Sequence, residues 1–289
     1  MIIELKGADF SANNIGKITI PKNITEDTKL LLTRFSKVFS LEQQLAVQTF
    51  VEEMNISGLM GKCTSLYLPI LAGDISEAFT NIATSDYPVD VSFDSSYIVL
   101  ENKGIKNLNT VYDPNIPDVT TDSVKGITLN DIHYLGAVDT KYITEEFVNN
   151  IPAPLLYIYH SKLTAPFSIS KSTLKTYLSP YKANGIDFEV ITGESTLNNC
   201  AKFNTLGIYG GGVYNNAIGL FGDEYSNMIP LLDEYKNSFD SITINKLSII
   251  GTGRRNLGIP HKVISIGHGL SEEEYLKYRG YIAALLQAF

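Results

Sequence analysis

From Lys62 to Gly267 the chain is broken into short β-branched and aromatic runs. They read "KCTSLYLPIL", "VDVSF", "SYIVL", "KGITL", "IHYLGAV", "LLYIYH", "DFEVIT", "NTLGIYG", "GLFG", "SITINKLSII" and "KVISIG". Turn formers (Asn, Gly, Asp and Pro) separate them at intervals of roughly 10 to 25 residues. Runs this short are too brief for stable helices, and the turn residues send the chain back beside itself. The pattern predicts antiparallel strands packed as a β-sandwich or jelly roll. The alternation of strand and long helix that a parallel sheet requires is missing, so an α/β fold is disfavoured.

Composition agrees. Seventeen tyrosines and thirteen phenylalanines stand against no tryptophan, and aromatics favour strands. Charged residues are only 19% of the chain, which leaves a surface rich in Asn, Ser, Thr and Tyr. The net charge is −8, with the basic residues scattered. Duplex binding needs concentrated Lys and Arg to displace counterions, so nucleic acid is not an expected partner. No apolar run reaches 18 residues, so no helical membrane span is expected. The start "MIIELKGADF" lacks a basic opening and carries Glu4 and Lys6 in its apolar stretch, which does not read as a signal peptide. Cys63 and Cys200 have neither disulfide-framework nor zinc spacing. They read as free thiols, with a single long-range disulfide as the alternative.

Helices are expected in few places. "MIIEL" and "KITIP" read as extended. Ser40 and Gln43 form a capping box ahead of "LEQQLAVQTFVEEM", and Val47, Phe50, Val51 and Met54 share one face. That face is the expected contact between chains, with packing on its own sandwich as the alternative. "DISEAFTNI" reads as a short helix capped by Asp74, and "YSNMIPLLDEYKNSF", Tyr225 to Phe239, as a helix beside the strands. "SIGHGLSEEEYLKYRGYIAALLQAF" reads as a strand leaving through a glycine turn into a helix. Gly267 and Gly269 supply the turn's positive φ, and Ser271 with Glu274 forms a capping box. Glu272 and Glu273 complement the helix dipole, and Tyr275, Tyr278, Ile282, Leu285 and Phe289 make the buried stripe.

Candidate chemistry is sparse. His268 sits between two glycines ahead of three glutamates, but each glutamate has a structural task, and His268 alone stays open as a ligand or catalytic group. His133 and His160 read as hydrogen-bonded strand histidines, and His261 lies seven residues upstream of His268. "GTGRRNLG", Gly251 to Gly258, misses the phosphate-loop pattern, and "IYGGGVYN" fits a bend in a sheet better than a cofactor loop. The nucleophile-elbow pattern G-x-S-x-G is absent. Asp187 and Glu189, two apart on one strand, are the best acid/base pair for glycoside hydrolysis. Asp113, Asp118 and Asp122 in "YDPNIPDVTTD" offer oxygens to calcium, without EF-hand spacing. No residue is assigned as catalytic, cofactor-binding or metal-ligating, and no cofactor is expected.

Three stretches, "LYLPILAG" with "EAFTNI", "NTLGIYGGGVYNNAIGLFG" and "KVISIGHGLSEEEYLKYRGYIAALL", resemble a concanavalin A-like, or laminin G-like, jelly-roll module. The start "LKGADFSANNIGKI" resembles a segment of virion proteins from tailed phages of gut anaerobic bacteria. The resemblance implies an anchoring or oligomerising segment over residues 1–55 and a jelly-roll domain over 56–289. It implies a non-enzymatic structural or adhesion component of a phage virion, such as a head or tail fibre. Such a protein is made in the host cytoplasm, forms homo-oligomers, contacts other capsid or tail proteins and touches host surface polysaccharide. A glycan-binding or glycan-cleaving module is the alternative function. Sugar sites often stack on tryptophan, which is absent here, although tyrosine can substitute.

Overall fold

The computed structural model describes residues 23–108, 119–124, 126–139, 141, 207–222, 246–250 and 258–289. It also describes strand backbone at 157–159, 175–180, 185–192, 195–202 and 226–230. Within these residues the protein is mainly β, with antiparallel pairing throughout and a few helices.

The principal sheet runs in the order β13 (Ser226–Pro230), β12 (Ala217–Gly222), β11 (Ile208–Tyr214), β6 (Asp131–Val138) and β15 (His261–Gly267). Beyond β15 lie two strands end to end. β1 (Cys63–Tyr67) pairs with its second half, and β4 (Gly104–Asn107) pairs at His261 and continues to β3 (Ile98–Glu101). A four-stranded sheet joins β2 (Val91–Ser92), β5 (Thr120–Thr121), β14 (Lys246–Ser248) and β7 (Tyr157–Tyr159). A third joins β8 (Lys175–Pro180), β9 (Gly185–Thr192) and β10 (Ser195–Lys202).

The middle of the principal sheet is buried on both faces, which explains why β6 reads as a nearly unbroken apolar run. One face lies under α4 (Glu272–Gln287), whose Tyr275, Tyr278, Ile282 and Leu285 are buried. The other carries Tyr67, Tyr134 and Tyr209, and Tyr67 donates to Thr121 of the four-stranded sheet. Each such buried side chain stabilises the fold by roughly 2–3 kcal/mol.

Three helices start where the sequence predicts, and a fourth, α1 (Glu26–Leu32), is not among the expected ones. α1 is capped by Thr25, and α2 (Leu41–Ile56) by the Ser40–Gln43 capping box. α3 (Ile75–Ala78) is capped by Asp74 and α4 by the Ser271–Glu274 box. Val47, Phe50 and Met54 of α2 are buried in the chain's own core, and Phe50 packs on Tyr278 of α4. That corrects the expected contact between chains: the apolar face is already covered by α4. Val51 is half-buried at its edge.

Three other expectations change. "YSNMIPLLDEYKNSF" begins as β13, because alternation through Asn227, Met228 and Ile229 continues the hairpin from β12; residues 231–239 lie outside the described residues. The expected strand "KGITL" is not one: Gly126 to Leu129 hold turns and a single bridge residue, with Gly126 at φ +97°. Gly267 and Gly269 are not at positive φ; they are needed for closeness. A Cβ on Gly267 would stand 1.9 Å from the carbonyl oxygen of Lys62, and one on Gly269 2.5 Å from that of Val213. The extended segments expected before residue 23 lie outside the described residues.

Candidate functional site

With the faces of the principal sheet covered, its ends carry exposed polar side chains such as His268 and Asn215. At one end, four chain segments meet: the turn before β6, the β11–β12 hairpin, the turn after β15 and the approach to β1. Tyr214 is opposite Asp131 in the β11–β6 ladder. The hairpin turns through Asn215 and Asn216, both at positive φ, a conformation asparagine tolerates. Asn216 donates its N–H to Asn130 Oδ1 at 3.1 Å, and Asn130 Nδ2 reaches Asn216 Oδ1 at 3.1 Å, locking the hairpin to the turn before β6.

The turn after β15 is held by Asp131. Its Oδ1 accepts the N–H of Gly269 at 2.9 Å, and its Oδ2 lies 2.7 Å from His268 Nδ1. Gly269 presses close to Tyr214, with no room for a side chain. The two partners are about half exposed, His268 at 47% and Asp131 at 45%. The imidazole is therefore fixed in orientation yet open to solvent. With Nδ1 donating to the carboxylate, Nε2 is the nitrogen left to accept or carry a proton.

A second layer fixes the backbone beneath. His133 Nδ1 donates to the carbonyl of His268 at 2.5 Å, since a carbonyl can only accept. Its Nε2 then accepts from Ser265 Oγ at 2.9 Å. Ser265 lies 3.5 Å from the Cys63 thiol, itself 3.6 Å from the Tyr278 hydroxyl. Burial pushes His133 down to about 4, so it stays neutral in this network, although its hydrogen bond to the carbonyl of His268 pulls the other way. Burial pushes the Cys63 thiol up, against the hydrogen bonds from Ser265 and Tyr278. Cys63 is a free, buried thiol.

Lys62 closes the cluster. Its ammonium reaches the carboxylate of Glu274 at 2.7 Å and the carbonyl of Gly269 at 3.3 Å, and lies 5.1 Å over the Tyr214 ring. Burial alone would raise the Glu274 carboxyl, but the hydrogen bonds from Lys62 and Ser271 hold it below its usual range. Glu274 is thus spent twice, on the helix cap and on Lys62.

His268, the one residue left open by the sequence, is the centre of this cluster. His133 is a buried structural histidine beneath it. His261 lies elsewhere on the sheet, buried beside Tyr209, with Nδ1 donating to the carbonyl of Ile259 at 2.9 Å. His160, Asp113 and Asp118 lie outside the described residues, as does "GTGRRNLG" up to Asn256 and Leu257, and Asp122 is exposed after β5. Asp187 and Glu189 lie on β9, opposite Cys200 and Asn198, and their side chains lie outside the described residues. Among the described residues no three His, Cys, Asp or Glu side chains converge as metal ligands do. Sequence reasoning missed Asp131, Lys62 and Tyr214. The "YNN" turn signal was visible, but nothing in it points to "LND" more than 80 residues earlier.

No protein-family model matches the chain, and no curated protein does. Solved structures do. Alginate lyase A1-II', a member of polysaccharide lyase family 7, has a TM-score of 0.38 at 12% identity, covering 72% of this chain and 95% of that one. A structure titled for endo-acting O-glycanases of the human gut microbiota scores 0.36 at 12% identity, covering 72% and 93%. The globular domain of T. cruzi calreticulin scores 0.40 at 13% identity, covering 65% and 83%. The likeness is one of strand arrangement, too remote to align residue with residue. It corrects one expectation: a chain with no catalytic activity does not follow from this arrangement, since lyases and glycanases share it.

Proposed function

We propose that the chain is a glycan-contacting module that works through the rim of its principal sheet, with the His268–Asp131 pair as its polar centre. One observation carries this reading: an exposed imidazole is held at 2.7 Å by a carboxylate that also anchors the turn carrying it. Beside the pair sit Tyr214 and the paired amides of Asn130 and Asn216. Carboxylate, imidazole, amide and phenol are groups that pair with sugar hydroxyls. The same pair supplies the proton-transfer group that cleavage of a bound glycan needs. The virion setting and the homo-oligomer are supported by the sequence resemblance alone; there, the rim would meet host surface polysaccharide.

Affinity electrophoresis and reducing-end release on a panel of polysaccharides test the proposal. A bound glycan should be lost or weakened at least tenfold in His268→Ala and Asp131→Ala, with both variants still folded. An unchanged affinity in both would remove the site.

A further inference from the structure

We infer that this rim selects neutral, hydroxyl-rich glycans and rejects uronate polymers. The inference rests on the glycan-contacting reading above and concerns which sugars it admits. Each carboxylate oxygen has two lone-pair positions. Asp131 spends one on Gly269 N–H at Oδ1 and one on His268 Nδ1 at Oδ2, leaving one acceptor position on each oxygen. With Nδ1 committed to Asp131, Nε2 is the ring nitrogen left to face a ligand, and it can accept from a hydroxyl. These spare positions want donors, and two adjacent hydroxyls of a sugar ring supply them.

A uronate carboxylate brings only acceptors and a negative charge. To bind, it would need a cation, and the cluster's cation is committed. Lys62 is held by Glu274 at 2.7 Å and by the carbonyl of Gly269 at 3.3 Å. The basic residues on α4 point to other partners: Arg279 donates to the carbonyl of Gly222, at the far end of β12 from the hairpin, and Lys277 pairs with Glu273. Two carboxylates, Asp131 and Glu274, stand against one lysine in the cluster, and they repel a polyanion at short range.

The test compares neutral homopolysaccharides (glucans, galactan, mannan) with a polyuronate at neutral pH, at low and high salt, using the full chain. The wild type should bind a neutral polymer and leave the polyuronate unbound. Glu274→Gln keeps the capping box but removes the charge partner of Lys62, and should raise polyuronate binding about fivefold at low salt, a gain that high salt removes. Tighter wild-type binding to the polyuronate, lost in His268→Ala, would overturn the sugar class and leave the site standing. Binding of either polymer that His268→Ala does not change, or no binding to any of them, would overturn the site and the inference with it.

Discussion

At the scale of single residues, the two buried histidines set how the protein responds to acid. His133 and His261 are both pushed down to about 4 by burial, from an ordinary value near 6.5. A neutral histidine in the fold and a basic one in the unfolded chain means that the unfolded state binds more protons below pH 6.5. Their contribution to stability is therefore fully present above about 6.5, is lost progressively as pH falls, and is gone by about 4. Each histidine is worth up to about 3 kcal/mol over that window. Urea midpoints measured across the window should fall accordingly, and His133→Gln should roughly halve the drop. A midpoint flat from pH 6.5 to 4 would contradict the buried, neutral assignment. The residue scale is also where sequence reading stopped short. "GHGLSEEEY" gives the capping box and leaves His268 unexplained, because its partner Asp131 is 137 residues away and comes beside it only through the β6–β15 ladder.

At the scale of elements, the turn after β15 is the most tightly specified segment. Gly267→Ala would drive a Cβ into the carbonyl of Lys62 and should destabilise by about 2–4 kcal/mol, shifting β1 off β15. Gly280 on α4 faces open space, so Gly280→Ala should stabilise by about 0.5–1 kcal/mol through helix propensity. Thermal unfolding of the two variants separates the effects by sign. The elements themselves were largely legible. Both long helices begin at capping boxes written in the sequence, because a cap is local chemistry. Within "YSNMIPLLDEYKNSF", Ser226 to Pro230 form a strand and not the expected helix start, because a short apolar run with a helix-compatible tail does not show that β12 will recruit these residues as a hairpin partner. The glycines stand out in the sequence, but their reason does not, since a close approach from Lys62 or Val213, both remote along the chain, leaves no local mark.

At the scale of the whole molecule, the middle of the principal sheet is closed among the described residues, while His268 at its rim is exposed. α4 seals one face of the principal sheet, the tyrosine-rich face packs toward the four-stranded sheet, and α2 packs on α4 through Phe50. Phe50→Ala should therefore cost about 3–5 kcal/mol of chain stability, read as an equal loss at every protein concentration. A loss that grows on dilution would instead place Phe50 between chains. The β-sandwich class could be read from strand spacing, because alternation and turns are local. The site could not, because it joins segments near residues 62, 131, 214 and 268 that only the sheet order brings together. The central claim is that glycan meets this rim, and amide chemical-shift mapping during titration with the tightest-binding glycan tests it most directly. The account predicts that the largest shifts fall on Asp131, Tyr214, Asn216, His268 and Gly269. Shifts centred instead on the α2–α4 groove around Leu45, Thr49 and Tyr281, with the rim unmoved, would contradict it.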